Sequence, residues 1–195
     1  MGRVRIGDSV RAGGRRRVRG GLVGSAVFGD RASFGVVVKP ADVVHGGGRG
    51  IRIFVTGVDF TVGDDQVYVP HFLFSVGRTI DALRDWPDLT PYEAVFGGRD
   101  PKVLHEKVDD DSLDDSALPK YFTGRLAFME WGEITFGFRS YLFRFGDRAW
   151  LTCRAHAHGS ALHVVPIDLT VMRDLLTRAH QVVKVDYEAY RARIG

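Results

Sequence analysis

Phe136-Gly137-Phe138-Arg139-Ser140-Tyr141-Leu142-Phe143-Arg144-Phe145 is followed by Gly146-Asp147 and then by a return run, Trp150-Leu151-Thr152-Cys153-Arg154. Two runs rich in aromatic and β-branched residues, joined by a glycine-acid pair, predict a β-hairpin. Strand parity puts Tyr141, Phe143 and Phe145 on one face and Phe138, Leu142 and Arg144 on the other. Both faces are bulky. Each therefore needs a cover, one of helices and the other of a loop or a partner. If the aromatic face stayed open, it would permit a homodimer.

Working outward, His156 to Gly159 reads as a loop and Leu162 to Val165 as a third strand. Pro166-Ile167-Asp168 then opens a helix whose inner face is Leu169, Met172, Leu175, Leu176, Ala179 and Val183. Asp174 and Arg178 stand one turn apart on its outside. Upstream, Phe34 to Val38 and Ile51 to Val55 are apolar strands, with His45 to Gly50 as a glycine turn between them. Gly57-Val58-Asp59 and Gly63-Asp64-Asp65 read as turns around Phe60 to Val62 and Gln66 to Val69.

Phe72, Val76, Ile80 and Leu83 then recur at helical spacing until Pro87. Thr90-Pro91-Tyr92-Glu93 predicts a second, short helix ending at Gly97-Gly98, with Thr90 as cap and Glu93 completing a capping box. Glu106, Asp109, Asp110, Asp111, Asp114 and Asp115 stand against Lys107, so this stretch predicts a solvated excursion rather than a packed element. Gly124 to Met129 reads as extended. Hairpins dominate and no βαβ series recurs. The predicted class is α+β, a mostly antiparallel sheet with two or three helices packed on one face.

Residues 1–20 hold seven arginines against Asp8, a surplus of +6 in a chain whose total is +3. Residues 21–195 are therefore mildly acidic, at about −3. The close arginines and glycines predict a disordered leader over residues 1–27 and a single domain over 28–195. Such a leader could add salt-dependent phosphate affinity, but it has no interleaved aromatics to stack on bases, so nucleic acid is not the expected partner. Cys153 is the one cysteine, so no internal disulfide is available. No run of 18 apolar residues occurs, and the basic start lacks an apolar signal core. A cytoplasmic location with no membrane contact is expected.

Catalytic signatures are incomplete. Cys153, His156, His158 and His163 are residue types suited to zinc. By parity, however, Cys153 points away from Trp150 into the fold, while His156 and His158 fall in a turn. Asp64-Asp65 and Asp109-Asp110-Asp111 lack the rigid separation that paired-carboxylate hydrolysis needs. Gly46-Gly47-Gly48-Arg49-Gly50 lacks the lysine and hydroxyl of a phosphate loop. No catalytic residue, cofactor or metal is assigned. A small metal-dependent hydrolase using Cys153 remains a competing reading, as does a nucleic-acid-associated protein using the arginine leader.

Phe28-Gly29-Asp30-Arg31-Ala32-Ser33-Phe34-Gly35-Val36-Val37 resembles the opening of the immunity protein 42 family of bacterial toxin-immunity proteins. Ile53-Phe54-Val55-Thr56-Gly57-Val58-Asp59-Phe60, then Gly63-Asp64 and the helix from Phe72, resembles its next block. Phe138 to Phe145, Trp150 to Arg154 and the helix after Asp168 match its closing order. The resemblance implies a non-enzymatic protein that binds and neutralises a cognate toxin, encoded by a neighbouring gene, by occlusion. It transfers no functional residue. The residues themselves suggest acidic and aromatic anchors for a basic partner. The candidates are Trp86, Tyr92, Asp110, Asp111, Asp114, Glu130, Trp131 and Glu133.

Overall fold

A computed structural model describes residues 24–40, 48–61, 65–156 and 159–195. Most of the leader, residues 1–23, lies outside the described residues, as do residues 41–47 and 62–64 of the predicted turns, and His158. Strand β1 (Ala26–Gly29) starts two residues ahead of the expected domain boundary.

Strands β1, β2 (Phe34–Val38), β3 (Gly48–Val55) and β4 (Val58–Asp59) form an antiparallel sheet in that order. Strand β5 (Gln66–Tyr68) pairs with the other end of β3, through Gly48, Arg49 and Gly50. Gly48–Gly50 are therefore strand residues, not the turn expected of a glycine run. The turn after β3 is Thr56-Gly57, where Val55 pairs with Val58. Both loop residues have positive φ, 50° and 83°, the two-residue geometry that matches strand twist.

Helix α1 (Val69–Ala82) carries Pro70 in its first turn and buries Val69, Phe72 and Val76. A 3-10 turn, Thr90–Tyr92, runs into the short α2 (Glu93–Phe96), which stops at Gly97 with φ 72°. The expected capping box does not form. The Asp88 carboxylate accepts from both the amide and the hydroxyl of Thr90, and Glu93 binds Arg99 instead. Helix α3 (Pro101–Asp109) follows, its first turn capped by the Asp100 carboxylate on the amide of Lys102.

Strands β6 (Phe138–Phe145), β7 (Arg148–Ala155) and β8 (His163–Ile167) form a second antiparallel sheet. The hairpin holds its register from Phe138 opposite Ala155 to Phe145 opposite Arg148. Gly146 takes the first turn position at φ 62°. Helix α4 (Leu169–Ile194) closes the chain, with Asp168 accepting from the amides of Thr170 and Val171. It buries Met172, Leu175, Leu176, Ala179 and Val183. Near its crossing with β1, Gly29 has φ 80° and a Cβ there would lie 2.4 Å from the Phe34 carbonyl oxygen as well as 2.2 Å from Leu175 Cδ1, so glycine is required.

The α+β class with antiparallel strands stands, and the strands divide between two sheets rather than one. The larger core joins them: Val36, Ile51 and Ile53 from the first sheet meet Leu142, Leu151 and Val165 from the second, beneath α1 and α4. A second core lies on the opposite face of β6. There Tyr141, Phe143 and Phe145 pack with Leu89, Phe96, Leu104, Phe122 and Leu126. The aromatic face is thus covered by α2, α3 and their flanking turns rather than left open.

The outer margin of β6 is closed without a further strand. The amide of Phe128 donates to the Ser140 carbonyl at 2.9 Å and that of Leu89 to Arg144 at 2.8 Å. Between them, the indole N–H of Trp86 donates to the Leu142 carbonyl. Three successive outward carbonyls are satisfied, which removes a pairing template at this margin.

Candidate partner-binding surface

Two of the eight candidate contact residues are core. Trp86 is 4% exposed and Trp131 1%. Trp86 is held by its bond to Leu142. Trp131 donates its indole N–H to Thr79 Oγ1 at 2.9 Å and meets Phe72 and Phe128 edge to face. Polar neighbours in sequence suggested a surface position for both. Each indole instead buries its ring and satisfies its N–H internally, the usual solution for tryptophan. Neither can anchor a partner without unfolding. Tyr92 is half-buried, 4.9 Å from the Phe122 ring on the second core.

The acidic stretch is not wholly an excursion. Its first half is the last turn of α3, where Leu104 and His105 are fully buried. Self-repulsion is relieved by arginines distant in sequence. Arg154 forms a two-pronged pair with Glu106, and Arg139 meets Asp109 at 3.1 Å. The hydrogen bond and charge of Arg154 hold the Glu106 carboxyl below its ordinary value. Asp110, Asp111 and Asp114 remain exposed beyond them. Hydrogen bonds from the Ser116 hydroxyl and amide lower the Asp114 carboxyl.

Glu130 and Glu133 are exposed on either side of the buried Trp131-Gly132. The backbone there is tightly shaped, with Met129 at φ 57° and Gly132 at φ 95°. A Cβ on Gly132 would stand 2.8 Å from the His71 ring. Asp111 and Glu130, about twenty residues apart in sequence, line one small groove of about 240 Å³ with Arg139 and Tyr141. Glu130 also borders a groove of about 510 Å³ with His71 and Phe136, and a cleft of about 400 Å³ with Phe74 and Arg78. The ridge around Glu130 is therefore flanked by three depressions.

Two residues that sequence reasoning missed give this ridge its apolar character. Phe74 is 65% exposed and Phe136 70%. Phe74 lies out of phase with the Phe72 and Val76 stripe, which is the signal that could have placed it outside. The sequence reads Phe136 into the following strand, but it lies at the end of a 3-10 turn, Glu133–Thr135, with Gly137 between it and β6. Phenylalanines beside carboxylates suit a protein interface, where aromatic anchors dominate affinity and charges govern encounter.

Cys153 is fully buried, and burial pushes its thiol well above the ordinary value. It pairs across strands with His163, whose Nδ1 lies 2.5 Å from Thr56 Oγ1 and whose ring meets Phe60. His156 is exposed in the following turn. No three His, Cys, Asp or Glu residues converge as a metal site among the described residues. A thiol this sealed is not the activated nucleophile that catalysis requires. No helix among the described residues is long and apolar enough to cross a membrane.

No protein-family model matches the chain, and no curated protein matches it. Among solved structures, its fold is similar to the crystal structure of CdiI from Burkholderia dolosa AUO158, with a TM-score of 0.50 at 12% identity. The likeness covers 79% of this chain and 97% of that one. At this identity the likeness is one of fold.

Proposed function

We propose that this protein is an immunity protein, acting in the cytoplasm of the producing cell, that binds a cognate toxin and neutralises it by occlusion without catalysing a reaction. The observation that carries this reading is the fold likeness to CdiI, a contact-dependent-inhibition immunity protein, over nearly the whole of that chain. The ridge around Glu130, with Phe74 and Phe136 beside it, supplies the mixed aromatic and acidic surface that such binding uses. The finer assignment, to the immunity protein 42 group, is carried by the three sequence blocks alone. They fall on the β1–β2 hairpin, on β3 to α1, and on β6 to α4.

Co-expression of the neighbouring toxin gene with and without this chain tests the proposal. Protection, together with a stable complex of the two purified proteins, is the expected result. Protection without direct binding removes occlusion, and failure to protect removes the immunity assignment for that pair. Deleting residues 1–20 is expected to leave protection intact, because specificity is assigned to the folded part of the chain.

A further inference from the structure

A second concave surface shares no lining residue with the depressions around Glu130. It is a cleft of about 770 Å³ between the β6–β7 turn, β8 and the start of α4. Arg84, Arg144, Arg148 and Arg173 line it, against Asp147 and Asp168. The Asp168 carboxylate is occupied with the amides of Thr170 and Val171. Arg144 is fixed in place, donating to the carbonyls of Gly146 and Trp86. Arg84, Arg148 and Arg173 have no carboxylate within ion-pairing distance among the described residues. The part of the chain beyond the leader is mildly acidic, so this gathering of unpaired positive charge is a local departure from the molecule's balance.

Apart from Gly146 and Thr170, the remaining lining is apolar. Trp150 is half-buried there beside Pro166, Ile167 and Leu169. Arginine and tryptophan are the residue types most enriched where interfaces concentrate their energy. Guanidinium groups with free donors suit carboxylates, which they can hold through two parallel hydrogen bonds.

We infer that this cleft is a docking site for an acidic polypeptide segment of the protein partner, with carboxylates on Arg84, Arg148 and Arg173 and an apolar side chain against Trp150. This rests on the reading of the chain as a partner-binding protein and adds a second, oppositely charged contact to it. A polypeptide is favoured over a nucleic acid because single-stranded nucleic acid uses successive aromatic platforms, whereas this lining has one ring and an aliphatic remainder.

Fluorescence anisotropy with the full chain tests the site. The probe is a fluorescein-labelled peptide alternating Asp or Glu with Leu or Phe. A Lys-substituted version of the peptide and a labelled oligothymidylate serve as comparisons. The wild-type protein is expected to bind the acidic peptide, more weakly as salt rises, and to bind the basic peptide and the oligonucleotide at least tenfold less tightly. The pair Arg148→Glu and Arg173→Glu is expected to lower affinity about tenfold or more. Arg178→Glu, an exposed position on α4 outside the cleft, is expected to leave it unchanged. Unaltered melting temperatures show that all variants fold. Equal binding of acidic and basic peptides, preference for the oligonucleotide, or indifference to the double substitution overturns the assignment. Protection by wild type that persists undiminished in the double variant overturns the cleft and leaves the immunity reading standing. Lack of protection by wild type overturns immunity, and the peptide measurement then judges the cleft separately.

Discussion

The indole nitrogen of Trp86 lies 2.8 Å from the carbonyl oxygen of Leu142, at the place where a further strand would have supplied an amide. Trp86→Phe keeps most of the buried ring and removes this donor. The orphaned carbonyl is expected to cost about 1–3 kcal/mol, and Trp86→Ala about 3–5 kcal/mol through the added cavity. Urea denaturation checks both values. Toxin affinity measured on the folded Trp86→Phe variant is expected to stay at the wild-type level, since the residue is core.

His105 sets a pH dependence. Its Nδ1 is 2.8 Å from Thr152 Oγ1, while Nε2 is buried without a hydrogen-bond partner among the described residues. Burial, with the nearby Arg154 charge, pulls the imidazole from its ordinary 6.5 down to about 4. The unfolded chain therefore takes up a proton at a higher pH than the folded one. The neutral-His contribution is fully present above about pH 6.5 and is lost as pH falls towards 4, by about 3 kcal/mol at most. His105→Phe is expected to flatten the stability profile in that window. A slope unchanged by the substitution would assign the acid sensitivity to other groups.

Phe74 and Phe136 test the aromatic part of the proposed interface. Replacing both by serine removes exposed surface only, so unfolding free energy is expected to change by about 0.5 kcal/mol or less. Affinity for the toxin is expected to weaken about 10- to 30-fold, equivalent to about 1.4–2 kcal/mol. Calorimetric titration against the purified toxin gives the answer. An unchanged dissociation constant would move the interface elsewhere.

Asp110, Asp111 and Asp114 are expected to act on encounter rather than on grip. The triple asparagine variant is expected to associate more slowly and with weaker salt dependence, while its dissociation rate hardly moves. Stopped-flow mixing at several ionic strengths separates the two rates. A change confined to dissociation would place these carboxylates inside the contact.

Cys153 is expected to resist a thiol reagent in the native protein and to react promptly in denaturant, because burial both raises its pKa and excludes the reagent. Rapid native labelling would contradict its sealed position in the larger core.

Much of the architecture was legible in local pattern. Alternation along β6 assigned Leu142 and Phe143 to opposite cores, and helical spacing found the buried face of α4, because a sequence period records which side of an element meets the core. What escaped depends on distant partners. Helix α3 was hidden by its acidic turn, since Arg139 and Arg154 neutralise Asp109 and Glu106 from strands thirty or more residues away. Gly48–Gly50 looked like a turn because their pairing with β5 cannot be read from glycine itself. Trp86 and Trp131 looked like surface anchors because the acceptors of their N–H groups, Leu142 and Thr79, lie more than fifty residues distant. Tyr92, proposed beside them, is half-buried at the border of the second core. Asp111, in the acidic run, and Glu130, beside Trp131, meet in one groove only in the folded chain.

The hydrogen-bonded closure beside β6 has a consequence for specificity. A visitor cannot extend this sheet by laying its own backbone alongside Ser140, Leu142 and Arg144, because those acceptors are taken. Recognition along this flank is left to side-chain shape and charge, which vary by single codons. Related chains could therefore exchange partners here through a few surface replacements while retaining the same scaffold.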